Sequence, residues 1–341
     1  MNFNRLFNLW ILAVMILSFI GCNDKEPVEK EFQLPSKVIN KIVIGEDGVK
    51  WFATGKGIVS FNGNLWTTFS GDEILNNTPI EELAYSTVSG KNEVWLGSRL
   101  GATSFEYTSS TIGALAKYTV QPNGLLADSV SAIDIDQNNV KYIGTTKGLS
   151  ILKGTTWTQF LGRRNEEILS QYKITAIAST TNEWVYASTE GGGVSRFKYT
   201  ADAVSGATTL TTPYASGLRS DTVYTVIVVN GDHQWYGTKR GASLHTSEFT
   251  KTLEDWVSYS REDGLICDTV YAIGKDLSDN MWFGTHRGVS KLSGTEWENF
   301  TIKDGLVANK INTIAIDLDG SVWFGTDEGI SHYKNNQWVN Y

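Results

Sequence analysis

The sequence predicts an all-β fold, a seven-bladed β-propeller of four-stranded antiparallel blades. Three observations carry this expectation. The 341 residues include 33 Gly, 12 Trp and only 5 Pro, with 41% hydrophobic and 19% charged residues. Soluble domains average about 25% charged residues and about 7% Gly, so this composition speaks for many short strands and tight turns, against disorder and coiled coil. A bulky pair followed by a small residue then recurs seven times, with small residues at 53, 97, 144, 187, 237, 284 and 325. A period near 45 residues is the mark of propeller blades. Short strand-like runs are bounded throughout by Gly, Asn and Asp, as hairpins require.

The chain opens with an address. Arg5 supplies a positive start, and Leu9 to Ile20 is an apolar run of 12 residues interrupted only by Ser18. A membrane span needs about 20, so the run fits a signal-peptide core. It closes on Ser18-Phe19-Ile20-Gly21-Cys22, which resembles a bacterial lipobox. Residues 1–21 are therefore expected to be cleaved, and Cys22 to be acylated. Residues 22–36 read as a polar tether. The expected location is a Gram-negative envelope, on the outer membrane or periplasmic face, held by the lipid anchor alone. The formal charge of −8, becoming −9 without Arg5, repels phosphate backbones and argues against nucleic acid. Two cysteines, Cys22 and Cys267, cannot form a disulfide framework.

Residues 37–341 are expected to be propeller throughout. In the third repeat Val130 to Asp136 reads as strand A, Val140 to Thr145 as B, Leu149 to Leu152 as C and Thr156 to Phe160 as D. Ten tryptophans fall in two columns of the repeat: 51, 95, 235, 282 and 323 in strand B, and 66, 157, 256, 297 and 338 in strand D. Trp184 misses its column by one residue. An aromatic at a fixed strand position in every blade reads as a packing device. Strand A opens each repeat and strand D closes it, so the ring should close by packing of the first blade on the last, without a shared strand.

The segment Asp317-Leu318-Asp319-Gly320-Ser321-Val322-Trp323-Phe324-Gly325-Thr326, with Gly305-Leu306 before it, resembles the two-component regulator propeller repeat. That family builds periplasmic ligand-sensing propellers of hybrid two-component sensors, often carbohydrate-responsive. The resemblance implies a sensor-like binding domain. No histidine kinase and no DNA-binding output follow Tyr341, so any signal is expected to pass through another protein.

Antiparallel blades place the A–B and C–D turns on one face and the B–C and D–A turns on the other. The second face collects loops of the form Gly-Leu-x-x-Asp: Gly124 to Asp128, Gly217 to Asp221, Gly264 to Asp268, and Gly305 to Asn309. These read as structural, with Gly in an unusual φ and Asp or Asn bonding nearby backbone. The B–C tips vary instead. Five of the seven carry basic residues: Lys56, Arg99, Lys147, Lys239 with Arg240, and His286 with Arg287. They are the candidate binding residues for a carbohydrate or another anionic or polar ligand.

Catalytic residues are not expected. His233, His245, His286 and His332 have no metal-ligand spacing. The Asp134 and Asp317 segments only partly match calcium loops, and no cofactor is implied. Beside ligand binding stand two alternatives: a scaffold holding a membrane-associated partner protein, and a streptogramin-lyase-like or sialidase-like propeller enzyme. For the lyase, His286 with Glu190 and Glu328 are the candidates; for the sialidase, Arg99, Arg240 and Arg287.

Overall fold

Alternation of apolar and small residues between turn-formers yields strands, and the computed structural model contains little else. It describes residues 32–341 apart from 70–71, 73–76, 89, 109–110, 121–123, 162–168, 170, 172, 213–216, 230–232 and 247–254. The signal segment, Cys22 and the tether up to residue 31 lie outside the described residues. Among those described, the strands form seven antiparallel sheets, each built from consecutive strands in the order A-B-C-D. The seven A strands are Ile39–Ile44, Ile80–Val88, Val130–Ile135, Ile174–Ser179, Val223–Val229, Val270–Lys275 and Ile311–Ile316. In the second blade the outer strand is split into Thr111–Ile112 and Ala116–Tyr118, both paired to strand C.

Each strand A packs against strand A of the next blade, and the circle closes where Ile39–Ile44 meets Ile311–Ile316. Closure uses the same contact as the seams within the chain. Tryptophan of strand B meets the phenylalanine of the next blade edge-on in three successive seams. Trp235–Phe283, Trp282–Phe324 and Trp323–Phe52 have centroid distances of 5.4, 5.7 and 5.8 Å and interplanar angles of 61°, 62° and 63°. No strand is shared between the first and last blades. A buried ion pair, Lys50 Nζ to Asp317 Oδ2 at 2.8 Å, joins the two across the closing seam.

The small residue of strand B has a packing cause. A Cβ at Gly144 would lie 2.6 Å from Ile174 of the next blade, and at Gly284 2.6 Å from Ile311. Side chains there would push the blades apart. The two tryptophan columns also separate. Those of strand B are at most 5% exposed, whereas those of strand D are half-buried, and four of them, Trp157, Trp256, Trp297 and Trp338, cover loop glycines.

Candidate functional site

The B–C turns are built alike. The hydroxyl of the strand-B Thr or Ser donates to the carbonyl of the glycine at or just before the start of strand C, at 2.8–3.1 Å in all seven blades. The same oxygen accepts a tip N–H, such as those of Lys56, Lys147, Arg240 and Arg287. Bonds between the Thr or Ser hydroxyl and the backbone hold the turn, so tip side chains are free to vary. The D–A loops are equally self-contained. Asp128, Asp268 and Asn309 accept the backbone N–H of Val120, Arg261 and Ile302 at 2.7–2.9 Å, while Leu125, Leu265 and Leu306 are buried. The structural reading of these loops holds.

All seven candidate residues sit on exposed tips. Lys56, Lys147, Lys239, Arg240 and Arg287 enter no ion pair among the described residues. His286 lies against the buried thiol of Cys267, with Nδ1 to Sγ at 3.5 Å. Arg99 differs, since its Nε donates to Glu81 Oε1 at 2.8 Å. It is also the one candidate of the seven that lines the cavity on this face.

That cavity, of about 740 Å³, is the mouth of the central channel, and a further chamber of about 550 Å³ lies along the A strands. The boundary between them is a ring that sequence reasoning missed. In every blade the pairing of strands A and B slips between the first and third residues of strand A. Such a β-bulge inserts one unpaired residue and re-aims its side chain. The inserted residues are Asn40, Glu81, Ser131, Thr175, Tyr224, Tyr271 and Asn312, and each lines both the mouth and the channel. The signal was present in the sequence. Apolar residues recur at i and i+3 in strand A, as Ile39 and Ile42, Ile80 and Leu83, or Val223 and Val226, where an unbroken strand would place them at i and i+2.

Charges at the mouth are internally balanced. Lys173 pairs with Glu190 at 2.6 Å, Lys310 with Asp327 at 2.8 Å and Arg99 with Glu81 at 2.8 Å. Burial works against the Asp327 anion, yet hydrogen bonds from Lys310 and Asn312 hold its carboxyl below the usual carboxylate value. Burial, then the neighbouring Tyr271 and Glu190, push the Tyr224 phenol above its ordinary value. Deeper in the channel Lys41 Nζ meets Glu82 Oε1 at 2.8 Å. Burial raises the Glu82 and Asp134 carboxyls above their ordinary values.

The remaining candidates are engaged elsewhere. His245 is fully buried, with Nδ1 2.7 Å from Gln234 Oε1, and His332 stacks on Trp323 at 4.1 Å. Asp136 accepts the N–H groups of Asn138 and Val140, Asp317 pairs with Lys50, and Asp319 pairs with Lys334. Among the described residues no three His, Cys, Asp or Glu side chains converge as metal ligands.

No family model and no curated protein matches the chain. Solved structures do match. The extracellular domain of the hybrid two-component system BT3049 from B. thetaiotaomicron superposes with a TM-score of 0.70 at 21% identity, over 89% of this chain and 39% of that one. The extracellular domain of the one-component system BT4673 from the same organism gives 0.67 at 17%, again over 89% and 39%. A streptogramin B lyase gives 0.66 at 14%, over 91% of this chain and 96% of the lyase. The chain thus spans 39% of each of these two extracellular domains. At these identities the likeness establishes the propeller fold, and that fold is the one used by extracellular domains of two-component systems.

Proposed function

We propose that this chain is a non-enzymatic, ligand-binding propeller of the bacterial cell envelope, anchored through acylated Cys22. Its ligand is polar, a saccharide first, and is taken on the face of the B–C and D–A turns. The observation that carries this reading is the mouth cavity, ringed by seven inserted side chains that the β-sheets do not need for pairing. Ligand sites in propellers gather around the channel on one loop face. The likeness to those extracellular domains agrees with an envelope location. The enzymatic reading draws less support. His286 stands on the rim against Cys267, Glu190 is bound to Lys173, and Glu328 lies 3.8 Å from Lys37. No acid–base pair faces the mouth from these residues.

A glycan array probed with the detergent-solubilised full chain tests the reading. Binding of saccharides is expected, and a loss of about tenfold or more in Lys239→Ala/Arg287→Ala would move the site from the mouth to the turn tips. Failure to bind any saccharide would reject the proposal. A protein that co-purifies in stoichiometric amount in that case would establish the scaffold instead.

A further inference from the structure

The seven inserted residues are copies of one structural position, so they serve as controls for one another. In four blades the side chain has a seam-holding task. Asn40 donates to the carbonyl of Ile80, Ser131 to Ile174, Thr175 to Val223 and Asn312 to Ile39, at 2.5–3.0 Å. Each acceptor is the first residue of strand A in the next blade. The inserted residue thus clips its blade to the following one.

Three blades depart from this task. Glu81 is engaged by Arg99, and a carboxylate has no proton to donate to a carbonyl. Tyr224 and Tyr271 turn their rings toward each other instead, with centroids 5.0 Å apart at 52°. These tyrosines occupy adjacent blades, are half-buried, and line both mouth and channel. Simple mutual packing would account for the ring contact, but it does not account for giving up two adjacent clips at the level shared by the mouth and the channel. An aromatic face left beside water, with a phenol held protonated, suits a ligand that brings C–H bonds to the ring and hydroxyls to its edge.

The charge at this level narrows the class further. Arg99, Lys173 and Lys310 already hold carboxylate partners. An anion entering the mouth would meet three neutralised cations, while the unpaired tips Lys239, Arg240 and Arg287 lie outside the cavity lining. Resting on the ligand-binding reading above, we infer that Tyr224 and Tyr271 form the platform for an uncharged pyranose ring, and that the pair sets specificity for neutral saccharides.

The test uses the detergent-solubilised full chain and isothermal calorimetry with maltohexaose, cellohexaose, laminarihexaose and hexagalacturonate. The informative variant is Tyr224→Asn/Tyr271→Asn, which removes the rings and installs the residue that clips the seam natively at 40 and 312. A companion, Tyr224→Phe/Tyr271→Phe, keeps the rings. At least one neutral oligosaccharide is expected to bind. The Asn variant should lose it by about tenfold or more with its melting temperature preserved, and the Phe variant should retain it within about fivefold. Neutral binding by the Asn variant at wild-type strength would overturn the platform, as would wild-type binding of hexagalacturonate alone; either leaves the ligand-binding reading standing. Absence of binding to all four probes and to the glycan array would remove both.

Discussion

Replacing Trp323 by alanine should both destabilise the propeller and open it at one place. Trp323 is 2% exposed, meets Phe52 and Phe61 of the first blade at 5.8 and 6.0 Å, and stacks on Tyr341 at 5.8 Å and 17°. Its Nε1 donates to Asp317 Oδ2 at 3.1 Å. A buried tryptophan removes about 150–250 Å² from water, which at about 25 cal/mol per Å² is about 4–6 kcal/mol. Large aromatic truncations cost about 3–5 kcal/mol, so about 4 kcal/mol is expected from urea midpoints. Trp282→Ala is the matched control, since Trp282 occupies the same column, is 1% exposed and bonds Asp276 in the same way. Its global cost should agree within about 1 kcal/mol. The two should differ in hydrogen exchange. A loop links the sixth and seventh blades, whereas only side chains and a few hydrogen bonds hold the seventh to the first. Trp323→Ala should therefore speed exchange in Ile39–Ile44 and Ile311–Ile316, and Trp282→Ala should not. A loss below about 1 kcal/mol, or unchanged exchange in Ile39–Ile44, would refute closure by this aromatic seam.

Cys22→Ala should remove the acyl anchor and move the protein from the membrane to the soluble fraction; persistence in carbonate-washed membranes would count against the lipid anchor. His332 gives a pH dependence. Burial holds its imidazole below its ordinary value of 6.5, with Asp319 and Asp317 opposing. As pH falls below about 6.5 the unfolded chain takes up this proton before the native state does, so the native state loses stability on acidification. His332→Phe should remove that contribution, and its stability relative to wild type should rise between pH 7.5 and pH 5 in urea titrations; a constant difference would disprove the assignment.

Much of the fold was legible because its determinants are local and repeated. Small residues follow the bulky pair of strand B because the next blade leaves no room for more at Gly144 or Gly284. Thr or Ser precedes each B–C tip because its hydroxyl closes the turn. Blade number followed from counting these features. The mouth was harder to read, because its side chains are placed by register and not by residue type. Asn40 or Thr175 looks like an ordinary polar residue on a strand until the slip in pairing is known, and the tips drew the eye because they are charged. Cations on tips are cheap to solvate, however, and they line nothing unless a neighbour converges on them. Arg99 does so because the bulge brings Glu81 within 2.8 Å.

The same arrangement explains how a site can vary inside a fold this regular. Each seam is held by the strand-B aromatic, by the close approach at its small residue and by backbone pairing within the sheets, while the inserted residue adds one hydrogen bond. A single such bond contributes about 0.5–1.5 kcal/mol net, against about 4 kcal/mol for one buried tryptophan. The bulge column can therefore lose its clip in three blades and the ring still closes. Change is tolerated at this column because it contributes least to the seam, and the bulge places it where the channel opens. Structural slack and access to the channel coincide at one position per blade. That is the physical reason for seeking the specificity of this propeller at Glu81, Tyr224 and Tyr271 before the more conspicuous charges above them.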